Sequence, residues 1–114
     1  MQRRDRIALQ KILEVIEETL KIFGDTSLEN FLNNKERQFA MAMSILRIGE
    51  LVKNLTMAFR KNNPQVKWKP IAGFRDIIAH RYDIVDMNEV YSTLKKDFPE
   101  LKLQIEKILE ADEE

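Results

Sequence analysis

The stretch Gly73-Phe74-Arg75-Asp76-Ile77-Ile78-Ala79-His80-Arg81-Tyr82 holds the only histidine of the chain, with two arginines, an aspartate and a tyrosine. Histidine titrates near neutral pH and serves as a general acid or base. Arginine keeps its charge and bridges phosphate oxygens. A tyrosine hydroxyl can position a phosphate. Together these side chains suit cleavage of RNA by attack of a ribose 2′-OH on the adjacent phosphorus. That reaction moves a proton and needs stabilisation of a more negative phosphorus centre. Arg75 and His80 are five residues apart, about 140° around a regular helix. They converge on one ligand only if the helix ends near His80 or if a second chain completes the site. The spacing alone is weak. A lone histidine near a helix C-terminus also serves simply to meet the helix dipole, and Arg75 with Asp76 could be solvated surface.

The local charge adds to the motif. From Arg60 to Arg81 there are six Lys or Arg (Arg60, Lys61, Lys67, Lys69, Arg75 and Arg81) against one acid, Asp76, a balance of +5. From Glu100 to Glu114 there are six acids against two lysines, a balance of −4. Trp68 and Tyr82 lie in the basic segment. Basic residues with aromatics suit single-stranded RNA, through phosphate neutralisation and base stacking. Two bland alternatives stand beside this: Trp68 as a core plug against the central helix, and the lysines as a solvated face.

The rest of the composition narrows the classes. Lys plus Arg is 19 and Asp plus Glu is 19, so the net charge is zero, which argues against holding nucleic acid by bulk charge. Zero cysteines exclude a disulfide scaffold, thiolate catalysis and the usual structural zinc site. One histidine excludes a multi-histidine metal centre. No metal or cofactor is expected. The 114 residues suit one domain, 1–114, and three Gly with three Pro leave little material for turns.

The elements that must position the motif are helices. Leu9, Ile12, Leu13, Ile16, Leu20 and Phe23 form one stripe of period 3.6 between Arg4 and Phe23. Ile7, Val15 and Ile22 lie beside it and widen it. Gly24 follows as the cap. Ser27 caps a short turn carrying Leu28, Phe31 and Leu32. Asn33 and Glu36 read as a capping box for a long central helix from about Lys35 to about Lys61. Phe39, Met43, Leu46 and Glu50 trace one of its ridges; Ile45, Ile48, Val52, Leu55 and Phe59 trace another. Gly49 sits between the ridges, where a close helix crossing would use it. Glu50 interrupts its ridge, either to pair with a basic residue of the motif helix or as simple exposure. Val66 to Trp68 reads as extended or turn, with Pro70 in the first turn of the motif helix. Asp86 and Glu89 start a further helix through Val90, Tyr91, Leu94 and Phe98. Pro99 either kinks it or begins another, and Leu101, Ile105, Ile108 and Leu109 continue its face. The expected fold is all-α, an antiparallel up-down bundle of four or five helices.

FRDIIAHRYD resembles the Arg-x4-His-x-Tyr motif of HEPN-domain proteins, in particular the HepT-like toxins. The resemblance extends over RRDRIALQKILEVIEET, SLENFL, LRIGELVKNL, VKWKPIAGFRDIIAHRYDIVD and DFPELKLQIEKIL, nearly the whole chain. One departure is Asp76, where the family often has Asn. The resemblance implies a HEPN-like bundle that forms a two-fold homodimer with a composite cleft at the interface. It implies metal-independent endoribonuclease activity in a type VII-like toxin–antitoxin pair. The implied partner is an MntA-type nucleotidyltransferase antitoxin, which silences the nuclease by AMPylation of the motif tyrosine. Carried over here, Arg75 and His80 are the catalytic pair. Asp76, Tyr82, Arg81 and Lys69 position the substrate, and Tyr82 accepts the AMP. AMP on that hydroxyl would place bulk and negative charge where substrate phosphate must sit.

Two other classes compete. One is a non-catalytic helical subunit that binds nucleotide or nucleic acid beside a nucleotidyltransferase; the other is a structural adaptor. No apolar run is long enough for a membrane span and no targeting signal is visible, so the expected location is the cytoplasm.

Overall fold

The structure, a computed structural model, describes residues 1–113. Glu114, the last residue of the acidic tail, lies outside them. Every regular element among the described residues is helical: α1 (Arg3–Phe23), α2 (Leu28–Leu32), α3 (Lys35–Lys53), α4 (Met57–Asn62), α5 (Trp68–His80), α6 (Met87–Ser92) and α7 (Phe98–Glu113). A 3-10 turn at Tyr82–Ile84 follows α5, and a π-helical turn at Thr93–Asp97 joins α6 to α7. No helix among the described residues is long and apolar enough to cross a membrane.

The long helices alternate in direction. Arg4 and Asp5, at the start of α1, bond to Asn54 and Thr56, just past the end of α3. At the opposite end Arg37 donates to the Phe23 carbonyl. Arg6 of α1 pairs with Asp112 near the end of α7. Phe39 meets Tyr82, while Glu50 meets Arg75, so α3 and α5 also run antiparallel. This is the expected up-down bundle.

The core follows the apolar stripes. Leu9, Ile12, Ile16 and Phe23 of α1 are buried with Met41, Ile45, Ile48 and Val52 of α3 and with Leu94, Leu101 and Ile105 of the last helical run. Ile7 and Ile22 do not widen the α1 stripe; both are exposed. Gly24 takes φ +57, the left-handed side that a cap residue without Cβ adopts freely. Ser27 caps α2 by accepting from the Asn30 N–H, and Asp86 caps α6 by accepting from Asn88.

Three boundaries differ from the sequence reading. The cap of α3 is Asn34, which accepts from the Arg37 N–H, one residue beyond the expected Asn33. The central helix ends at Lys53 instead of continuing to Lys61. The cause is Asp5, buried in α1, whose carboxylate accepts from both the N–H (2.7 Å) and the hydroxyl (2.8 Å) of Thr56. With its N–H tied to Asp5, Thr56 becomes the cap of a new helix, accepting from the Phe59 N–H. Trp68 is not part of an extended segment but the first residue of α5. At Pro99, where two alternatives stood, the helical run continues through the π-helical turn into α7. The Phe98 N–H reaches back to the Thr93 carbonyl, and that widened turn leads the helix into a proline with no N–H to give.

Candidate functional site

The site is built where α5 crosses α3. A Cβ placed on Gly49 would lie 2.2 Å from the Arg75 Cβ and 2.6 Å from its Cγ, so only a glycine lets the Arg75 stem lie on the α3 backbone. The arginine is therefore part of the helix seam, not a side chain on open surface. Its Nη2 is 2.7 Å from Glu50 Oε2, and its Nη1 is 3.1 Å from Asp76 Oδ1. Its Nε is buried and has no hydrogen-bond partner among the described residues. Lys53 Nζ lies 2.5 Å from the same Asp76 oxygen. Lys53 holds the Asp76 carboxyl below the usual carboxylate range, and Arg75 adds to that effect. The negative charge that sets Asp76 apart from the commoner Asn is thus matched by a lysine on the neighbouring helix.

Gly49→Ala is expected to lower stability by about 1–3 kcal/mol, because the clashing atoms belong to the root of the Arg75 side chain and the two helices must part. A urea titration followed by circular dichroism measures the shift in midpoint. An unchanged midpoint would show that the seam accommodates a methyl group.

His80 is the last residue of α5, and Arg81 caps the helix with its N–H 2.7 Å from the Ile77 carbonyl. Arg75 and His80 therefore both lie within α5, about 140° apart around its axis at ~100° per residue, so a ligand shared by them calls for a second chain. Both His80 and Arg81 are exposed, and neither side chain hydrogen-bonds to another described residue. Tyr82 lies in the 3-10 turn with its ring half-buried against Phe39, centroids 5.8 Å apart. Burial pushes the Tyr82 hydroxyl above its ordinary pKa. The ring contact with the exposed Phe39 is apolar. Tyr91 is the structural contrast: its hydroxyl is tied to the Thr26 carbonyl at 2.8 Å.

Two basic-segment residues stand apart from this cluster. Lys69 is exposed in the first turn of α5, about 16 Å along the axis from His80 at ~1.5 Å per residue. The structure does not bring it to Arg75 and His80. Trp68 is buried, with Nε1 bonded to the Asn63 carbonyl and its ring against Phe59, so it is the core plug and not a stacking platform. Glu50 joins both of its alternatives: it is exposed and it pairs with Arg75. Sequence reasoning missed Lys53 and Phe39 as neighbours of the motif. The signal for Lys53 was its place one turn beyond Glu50 on the same helix face.

A family profile described as Ribonuclease HepT-like matches residues 12–108. The chain belongs to the HepT-like ribonuclease family. Its full-length relatives include "Probable ribonuclease HepT" of Thermococcus cleftensis, 34% identical over 95% of this chain and 98% of that one. "Putative RNase MJ0125" of Methanocaldococcus jannaschii is 35% identical over 100% of this chain and 99% of that one. A third relative from the same organism, "Gamma-glutamylcyclotransferase and putative RNase MJ0434", is 38% identical over 96% of this chain, which spans 50% of its length. No solved structure matches the chain. In this HepT-like fold the arginine of the Arg-x4-His pattern is held in the helix seam and the histidine stands free at the helix end. Ribonuclease action is the activity that the names of these relatives assign at the level of the family.

Proposed function

We propose that this HepT-like chain is a metal-independent endoribonuclease and the toxin of a type VII-like toxin–antitoxin pair. The observation that carries the reading is the end of α5, where an exposed, unpartnered His80 follows a seam-held Arg75. His80 takes the 2′-OH proton as that oxygen attacks phosphorus. The same imidazole then returns a proton to the departing 5′ oxygen, which leaves a 2′,3′-cyclic phosphate. Arg75 bridges the phosphate oxygens as their charge grows. Asp76, Tyr82 and Arg81 flank the substrate.

A homodimer is part of the same proposal. Phe39 and Met43, one turn apart on α3, are 57% and 56% exposed, and Ile84 beside Tyr82 is 58% exposed. An apolar face of this kind marks an interaction surface. A two-fold partner seated there would cover it and set a second Arg75–His80 pair beside the first. In this reading an MntA-type nucleotidyltransferase transfers AMP to Tyr82 and silences the enzyme.

The test is incubation of the purified protein with labelled single-stranded RNA in EDTA. Cleavage to fragments ending in cyclic phosphate, by a species with the mass of two 13.5 kDa chains, is the expected result. Binding without cleavage would leave a nucleic-acid-binding subunit, and a monomeric mass would remove the composite cleft.

A further inference from the structure

Glu50 and Lys53 of α3 face Arg75 and Asp76 of α5, and the two acids and two bases cancel to zero charge. An incoming phosphate therefore does not meet a free guanidinium. It meets one whose two terminal nitrogens are already on carboxylates. The two carboxylates differ in how firmly they are held. Asp76 is fixed by Lys53 as well as by Arg75, whereas the Glu50 carboxylate has Arg75 as its single ion-pair partner among the described residues. Glu50 is also 57% exposed, so it can swing into solvent at little cost. The arrangement leaves Arg75 Nε buried without an acceptor among the described residues, a shortfall that packing of the stem on Gly49 imposes.

We propose that Glu50 is an internal stand-in for the substrate phosphate, occupying the Nη2 edge of Arg75 at rest and giving it up when an anion of the RNA backbone arrives. The idea rests on the ribonuclease reading only in naming RNA as the source of that anion. Binding is an exchange of one oxyanion for another at the same nitrogen, with no net change in the charge facing Arg75. Asp76 stays in place, held by Lys53, and keeps the guanidinium plane oriented during the exchange. The device makes Arg75 selective: only a ligand whose oxygens outcompete a tethered carboxylate is admitted.

Glu50→Gln keeps the shape and removes the charge. The direct readout is titration with inorganic phosphate, following the Arg75 guanidinium NH signals by NMR, with Arg75→Gln as the control that identifies those signals. Glu50→Gln is expected to bind phosphate at Arg75 about three- to fivefold more tightly than wild type, the scale of an exposed ion pair. In the RNA assay its KM falls by a similar factor while kcat holds. Equal phosphate affinity in the two proteins would overturn the proposal. So would a fall in kcat with KM unchanged, which would make Glu50 an orienting residue. Tighter phosphate binding with no RNA cleavage by wild type would leave the stand-in correct and the ribonuclease reading wrong. A thermal melt of the variant checks that the seam is intact.

Discussion

His80→Ala is expected to lose at least about 100-fold in RNA cleavage, the low end of what a positioned general acid–base group contributes. Its melting temperature should not move, because the imidazole is exposed at the end of α5 and bonds to no described residue. Arg75→Ala should lose cleavage as fully, but it will not be silent in the melt. From sequence Arg75 with Asp76 could be solvated surface. The structure places its stem on Gly49 with Nε buried, so truncation removes packing as well as charge. A loss of about 1 kcal/mol is expected, the size of an ordinary single-residue change. Measuring cleavage at equal folded fraction separates the two contributions. If His80→Ala cleaves RNA as well as wild type, the proton-transfer role belongs to another group. If His80→Ala unfolds, the residue is structural.

Tyr82→Phe is expected to abolish AMPylation while keeping most of the nuclease activity. The ring contact with Phe39 needs no hydroxyl, and the Tyr82 hydroxyl bonds to no described residue, so the fold loses little. The chemistry requires that oxygen. In the proposed reaction it attacks the α-phosphorus of ATP, pyrophosphate leaves, and the phenolic proton passes to a base. Burial raises the Tyr82 pKa, so the proton is held more firmly and, in the proposed pair, the base comes from the nucleotidyltransferase. Intact mass after incubation with ATP, magnesium and the nucleotidyltransferase reads the result. Wild type should gain adenylyl groups and Tyr82→Phe none. Equal modification of the variant would move the acceptor elsewhere. Because the ring borders the exposed Phe39, adenylylation should also shift the oligomeric state, which the same samples reveal by light scattering.

Much of this molecule is legible in the order of its residues. The stripe from Leu9 to Phe23, the caps at Ser27 and Asp86 and the turn at Gly24 are local matters of period, side-chain oxygen and backbone freedom. Such signals need no knowledge of the neighbours. The motif around Arg75 and His80 is equally local. Its roles came from resemblance, since five-residue spacing alone has too little content.

What only the tertiary structure decided is which groups meet. Asp5 ends the central helix from 51 positions away, by taking the Thr56 N–H that a continuing helix would have used. Nothing near Thr56 announces that competitor. Trp68 is turned inward because Phe59 and the Asn63 carbonyl are there to receive its ring and its N–H. Phe39 and Met43 belong to an apolar ridge by period, yet they remain exposed because no other helix among the described residues covers that face of α3. Arg75 finds Glu50 and not solvent because Gly49 lets the helices approach closely, and Asp76 is neutralised because Lys53 is one turn further along. Helix formation depends on interactions within about four residues. Partner choice depends on the rotation and separation of whole helices, quantities set by the sum of the core packing and carried by no single segment.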